Sequence, residues 1–423
     1  MIDDIHILEA TPGHRKRTPL EHYRAIPLYL RILIAMGVGL AIGLLLGDRA
    51  EPLKWISRVI LKILGALAPA LIFVAVMDAI LGAKVGGRST AKMAFLLILN
   101  TVVAIFIGLT VANIVQPGTH ENLQPDAKLE APKTQELGEQ LLDNIPKSVL
   151  EPLVDNNVIG VVFIAVAFGI AFRRLAKTND IGIVNQFISL AFKAIVVILH
   201  WVLDFVPLAV FCTVAETVGT NGIAPLVKLG WFVVAVLLAL SLQTLWYLIR
   251  IRFGSWVRPM PLLAGMRDAL VMAFSTSSST ATMPVTYACL REKVGLREDS
   301  ASMGALVGTN FNNDGTALYE AMAALFIAQM IGTQLSLGQQ LVVVLMAIVA
   351  SVGAAGIPEA GLVTMTLVFT AVRLPKEYIF LLLPVDWFLD RCRTAINVLG
   401  DVNVACLLEG KQKSNSDSSA MND

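Results

Sequence analysis

Near the C-terminal end of the chain, sixteen consecutive positions hold five charged residues: Asp386, Asp390, Arg391, Arg393 and Asp401. They interrupt a stretch, Tyr378 to Leu408, that otherwise reads as one long apolar helix. At about 100° per residue, Asp386, Asp390, Arg393, Thr394, Asn397 and Asp401 fall within an arc of about 100°, a polar stripe on one face. A fixed guanidinium can hold a carboxylate bidentately, and a neighbouring carboxylate can hold an ammonium. Arg393 with Asp390 therefore suits an acidic amino acid. Hard cations need oxygen ligands, which Asn312, Asp314, Asn397 and Asp401 supply. A structural ion-pair network would account for Asp386, but less well for a stripe that mixes Arg, Thr and Asn with carboxylates.

These charges sit in an apolar setting. The 423 residues are 56% hydrophobic and 15% charged, with a mean hydropathy of +0.70. This composition excludes a water-soluble chain and identifies an integral membrane protein. Each charge at a bilayer centre costs roughly 2.5 to 3.5 kcal/mol, so five of them require a purpose. The net charge of +1 offers no basic surface for nucleic acid. The cysteines, Cys212, Cys289, Cys392 and Cys406, lie singly with no paired spacing, which points to packing rather than to a disulfide frame or zinc.

Apolar stretches of spanning length run from Ile26 to Leu46, Trp55 to Leu81, Met93 to Val115, Val158 to Phe172, Phe187 to Val214 and Leu229 to Leu248. Basic clusters at His14 to Arg17, at Lys84, Arg88 and Lys92, at Arg173, Arg174 and Lys177, and at Arg250, Arg252 and Arg258 alternate with basic-poor loops. The positive-inside tendency therefore assigns both termini to the cytoplasm. The long loop Pro117 to Leu150 carries six acidic residues against three lysines, as an outside loop does, and the tail after Glu409 reads as disordered. Beyond Arg258 the apolar material is cut by Phe274 to Thr286 (FSTSSSTATMPVT), Asn310 to Thr316 (NFNNDGT) and Ser351 to Gly361 (SVGAAGIPEAG). The first and third predict re-entrant helical hairpins whose tips meet near the midplane, because freed backbone cannot face lipid. Amide hydrogens at such tips could hold a second carboxylate.

The motifs SSSTATMPVT, NNDGTALYE, SVGAAGIPEAG and DWFLDRCRTAINVLGD, in that order, resemble those of the dicarboxylate/amino acid:cation symporters, the excitatory amino acid transporter family. The resemblance spans Ile26 to Leu408. It implies an all-α multi-pass inverted-repeat protein with eight transmembrane helices plus two re-entrant hairpins, working as an elevator within a homotrimer in the cell membrane. Residues 26–92 and 158–220 would form the scaffold. Residues 93–116 and 221–409 would form the mobile transport domain, with 1–25, 117–157 and 410–423 as N-terminal segment, outside loop and tail. The implied activity is sodium-coupled symport of glutamate or aspartate, not enzymic catalysis. The alternative within the family is C4-dicarboxylate:cation symport, whose members commonly lack a carboxylate at the position of Asp390.

Carried over by position, the resemblance assigns substrate binding to Ser278, Ser279, Thr316, Ile357, Gly361, Asp390, Arg393, Thr394 and Asn397. Asp390 would take the amino group and Arg393 the side-chain carboxylate. Sodium would fall on three groups: Gly308, Asn312, Asn397 and Asp401; the carbonyls of Asn310, Ser351, Val352 and Ala354; and Asn100, Thr101, Asn312 and Asp314. Arg391, with Ser277 in the first hairpin, and Glu320 match the animal carriers and imply proton co-transport and potassium counter-transport. Two departures stand out: Asn313 replaces the family's usual methionine, and Leu96 and Leu97 replace a tyrosine pair in the third span. A serine hydrolase built on the serine-rich hairpin and His200 is opposed by the lack of a GxSxG elbow. Asp78, Lys193, Asp204 and Glu359 receive no ligand role.

Overall fold

The computed structural model describes residues 26–82, 88–119, 148–154, 158–353 and 360–412, and among these the chain is helical with no strand. Helix α1 (Leu28–Leu46) leads through a 3-10 turn (Gly47–Leu53) into α2 (Lys54–Gly82), followed by α3 (Arg88–Val115) and α4 (Val158–Leu175). Then come α5 (Gly182–Leu203), α6 (Val206–Asn221) and α7 (Ala224–Gly254). Helices α8 (Pro259–Thr276) and α9 (Ser279–Ala288) form a hairpin. A broken segment leads to α10 (Asp314–Met330), and α11 (Leu337–Gly353), α12 (Ala360–Ala371) and α13 (Ile379–Glu409) complete the order.

Among the described residues, four stretches are long and apolar enough to cross a membrane: Leu30–Asp78, which takes in most of α1 and α2, Ala91–Val115, Gly182–Leu203 and Ala224–Gly254. Helix α5 turns Ile183, Phe187, Leu190 and Trp201 outward, more than half exposed. Such an apolar face is unfavourable in water and suits lipid. Helix α1 lies against α6, where a Cβ on Gly43 would come 2.6 Å from the Ala215 carbonyl oxygen, so glycine is what permits this backbone approach. Arg31 of α1 donates to Asp204 at 3.1 Å, giving that carboxylate a structural partner.

Helix α10 is the centre of the molecule. Every one of its residues except Gln329 is buried, and α3, α7, α11, α12 and α13 all pack on it. A helix without a polar outward face belongs in such a position. Helix α13 crosses α7, α8 and α10, which brings the polar stripe into the interior.

Two boundaries differ from the reading of the sequence. The stretch Phe187 to Val214 is not continuous: α5 stops at Leu203 and α6 starts at Val206. Pro207 lies in the first turn of α6, where its missing N–H costs nothing, whereas inside a continuous helix it would remove a hydrogen bond. Helix α7 also runs on to Gly254, so Arg250 and Arg252 belong to the helix and not to a loop after it. The N-terminal segment 1–25, most of the loop 117–157, the tail beyond 412, and Ala354, Ile357 and Glu359, which the sequence predicts at the tip of the second hairpin, lie outside the described residues.

Candidate substrate and cation site

The stripe on α13 is buried. Asp386, Arg393, Thr394, Asn397 and Asp401 are each at most 5% exposed. Arg393 Nη1 donates to Asp386 Oδ1 at 2.7 Å and Nη2 donates to Asp390 Oδ1 at 2.6 Å. The two partners differ in access: the Asp386 side chain is 8% exposed and that of Asp390 is 28%. The guanidinium carbon sits 4.0 Å over the Tyr319 ring of α10, and Arg393 Nε has no acceptor. From α12, a Cβ on Gly361 would come 3.2 Å from Arg393 Nη2, so the second hairpin reaches the guanidinium where only hydrogen now intervenes. Thr394 donates to the Asp390 carbonyl at 2.8 Å.

Below Arg393 the stripe meets the interruption at 310–316. The chain unwinds after the turn Gly308–Asn310, with the amide groups of Phe311 and Asn312 both donating to the Gly308 carbonyl, and α10 starts afresh at Asp314. Asn397 Oδ1 accepts from the Gly315 amide at 2.8 Å, satisfying one of the donors that every helix start leaves unpaired. Asn397 Nδ2 donates to Asn313 Oδ1 at 3.3 Å and to Thr316 Oγ1 at 3.4 Å. The Asn313 that departs from the family pattern thus bonds directly to the stripe.

Asn312 Nδ2 donates to the Asn397 carbonyl at 2.9 Å and to Asp401 Oδ1 at 3.0 Å, while Asn312 Oδ1 has no donor. Thr309 donates to Asp401 Oδ2 at 2.8 Å. A Cβ on Gly400 would lie 2.4 Å from Asn312 Nδ2, so the contact requires glycine there. Gly308, whose Cβ would lie 3.0 Å from Asp401 Oδ1, completes this group. Its buried carboxylate and unmet amide oxygen fit a hard cation. The carbonyls of Ser351 and Val352 belong to the last turn of α11, where helical carbonyls lack intrahelical partners. Asn310 closes the 3-10 turn.

The third group is differently arranged. Thr101 donates to Asp314 Oδ1 at 2.7 Å, and the Tyr247 hydroxyl of α7 donates to Asp314 Oδ2. Arg250 donates to Asn100 Oδ1. Leu96 and Leu97 pack against Val404 and Leu407 as plain core residues. A tyrosine hydroxyl therefore reaches this group from α7, not from α3.

At the first hairpin, Ser278 caps α9 by accepting from the Ala281 amide at 3.1 Å, while Ser277 takes a left-handed φ of 52°. Ser279 begins α9. Arg391 donates to the Phe274 and Ser275 carbonyls at 3.0 and 2.6 Å, holding the end of α8 against α13. Glu320, one turn beyond Thr316, is wholly buried, with Thr364, Arg393 and Asp386 as polar neighbours, and neither carboxyl oxygen has a well-formed hydrogen bond. Among the described residues, His200 bonds to the carbonyl of Val196 on its own helix.

The family model for the sodium:dicarboxylate symporter family matches residues 28–411. The chain belongs to this family. A C4-dicarboxylate transport protein of Sinorhizobium medicae is 31% identical over 430 residues, covering 97% of this chain and 91% of the relative. An excitatory amino acid transporter of Caenorhabditis elegans is 40% identical over 263 residues, 62% of this chain and 52% of the relative. Excitatory amino acid transporter 4 of Mus musculus is 40% identical over 256 residues, 60% and 45%. The chain thus aligns with about half the length of the excitatory amino acid transporters it matches. These relatives are named as transporters, and the family is named for sodium:dicarboxylate symport.

Arg393, with Asp386 and Asp390, meets Gly361 at the start of α12, and Asn397 joins the same helix to Gly315 and Thr316 at the start of α10. Thr309, Tyr319, Tyr247 and Arg250 were missed by the sequence reading. For the last two a signal exists: Gln243, Tyr247 and Arg250 recur at helical spacing along an otherwise apolar span.

Proposed function

We propose that the chain is a sodium-coupled symporter of acidic amino acids, glutamate or aspartate. The supporting observation is the charge balance around Arg393. One guanidinium is shared by two carboxylates, Asp386 and Asp390, which leaves a formal excess of one negative charge. Asp390 is the more accessible of the two. A ligand carrying an ammonium satisfies that excess; a C4-dicarboxylate brings two further negative charges and nothing to pair with Asp390. This favours the amino acid reading over dicarboxylate symport.

An amino acid of charge about −1 entering against an inside-negative potential gains about 2.3 kcal/mol per 100 mV from each sodium that travels with it. The Asn312 and Asp401 group is the best-formed cation site. The scaffold of α1, α2, α4, α5 and α6, the moving unit of α3 and α7 to α13, the elevator motion and the homotrimer are part of the same proposal and follow the resemblance. Proton co-transport is assigned to Glu320, whose carboxyl is buried between α10 and α12 beside the substrate residues. Potassium counter-transport follows only from the resemblance at Arg391, whose bonds here are to the first hairpin.

The test is uptake of labelled aspartate and labelled succinate into vesicles carrying the purified protein, with and without an inward sodium gradient. Sodium-driven aspartate uptake that excess succinate does not inhibit is the expected result. Succinate uptake that outruns aspartate uptake overturns the proposal in favour of dicarboxylate symport.

A further inference from the structure

In the group Asn100, Thr101, Asn312 and Asp314, three members are engaged by the protein's own donors. Both Asp314 carboxylate oxygens accept hydroxyl hydrogens, from Thr101 and Tyr247, and Asn100 Oδ1 accepts from the Arg250 guanidinium. The fourth member, Asn312, stands two residues before Asp314 in the chain break: its Nδ2 donates to Asp401, and its Oδ1 is buried without a donor. The charges divide in the same way. Arg250 acts on Asp314 through its field, whereas the charged neighbour of Asp401 is Asp314, another carboxylate. Two buried carboxylates thus share one fixed cation, and that cation stands on the Asp314 side.

Arg250 is held in place. Its guanidinium stacks over Trp246 with 5.6 Å to the ring centroid, and it lies one turn from Tyr247 on the same face of α7. Helix α7 packs against both α3 and α13. An arginine stays protonated under all physiological conditions, so its charge is permanent. A sodium ion entering beside it meets a like charge. At about 4 Å and an effective dielectric of about 20, this repulsion corresponds to roughly a thousandfold in affinity.

We propose that Arg250 is a tethered cation occupying the group of Asn100, Thr101, Asn312 and Asp314, so that this group takes no sodium ion and the protein binds one fewer than its oxygen donors suggest. This rests on the reading of that group as a family cation site. It does not depend on which substrate is carried.

The test counts ions at equilibrium. Binding of radiolabelled sodium per chain is measured on the purified full-length protein in detergent without substrate, for wild type, Arg250→Lys and Arg250→Gln. Wild type and Arg250→Lys should bind the same number, and Arg250→Gln one more. An unchanged count in a folded Arg250→Gln protein overturns the proposal. Thr101→Val provides a second reading should Arg250→Gln fail to fold. In an otherwise wild-type chain that has no ion at Thr101, loss of the hydroxyl should leave the count as it was, and a fall by one would overturn the assignment. Because no transport is measured, a protein that binds sodium yet carries no aspartate would refute the proposed function and leave this count intact.

Discussion

Asp390→Asn separates the roles of the two carboxylates on Arg393. The substitution keeps the size of the side chain and an oxygen able to accept from Arg393 Nη2, which lies 2.6 Å from the present acceptor. Asp386 continues to pair with the guanidinium at 2.7 Å. What disappears is the negative charge offered to a substrate ammonium. A hydrogen bond to a charged group contributes about 1.5 to 3 kcal/mol. The Asp390 side chain is 28% exposed, so solvent screening favours the lower part of that range, about 2 kcal/mol. At about 1.4 kcal/mol per tenfold, aspartate affinity should fall roughly 30-fold. Succinate has no ammonium to lose, and removal of a like charge should leave its binding unchanged or tighter. Calorimetric titration of wild-type and Asp390→Asn protein with both ligands, at fixed saturating sodium, measures the two effects. An equal loss for both ligands would show that Asp390 merely positions Arg393, and unchanged aspartate affinity would remove the ammonium from the reasoning altogether.

Gly400→Ala places a Cβ 2.4 Å from Asn312 Nδ2 and 2.9 Å from the Tyr247 hydroxyl oxygen, so it should destabilise the protein by about 1 to 3 kcal/mol and weaken sodium binding, as measured by thermal unfolding with and without sodium. Sodium protection equal to that of wild type would contradict the cation assignment at Asn312. Arg391→Ala removes two donors from the end of α8, and amide exchange should rise at residues 274–278 while the α10 amides stay protected. Glu320→Gln removes a carboxyl whose neighbours are Thr364, Arg393 and Asp386, and substrate-linked acidification of the vesicle interior should cease. Proton flux that persists in this variant would dismiss Glu320 as the carrier.

Much of the site was legible in the sequence because its residues sit at helical spacing on one element. The arc from Asp386 to Asp401 is a property of a single helix, and burial of that face follows once α13 is surrounded. The first interruption was legible too, since its small polar run separates α8 from α9 at Ser277 and Ser278, whereas Pro284 lies inside α9. What was hidden depends on tertiary packing. Arg250 reads as a member of a basic cluster until α7 is seen to extend to Gly254 and to face α3. Tyr247 could not be matched to Asp314 from sequence, because 67 residues separate the partners. The break at Asp204 and Phe205 was obscured by an apolar run in which Pro207 is tolerated as the first turn of a new helix.

The position of Arg250 bears on the energetics of the proposed carrier as a whole. If α7, α10 and α13 move together, the buried carboxylates Asp314 and Asp401 move with them, and so does Arg250. Carrying a net charge across the full membrane field involves about 2.3 kcal/mol per charge per 100 mV. Two unpaired carboxylates would make the return of the ion-free carrier strongly dependent on potential. The tethered guanidinium cancels one of them permanently, at the expense of one sodium ion that would otherwise add to the driving force. Arg250→Gln should therefore steepen the voltage dependence of the return step, and pre-steady-state currents recorded after voltage jumps in substrate-free, sodium-free solution would measure it. Gating charge that rises by up to one elementary charge is the expected outcome; an unchanged value would mean that Arg250 does not travel with the carboxylates.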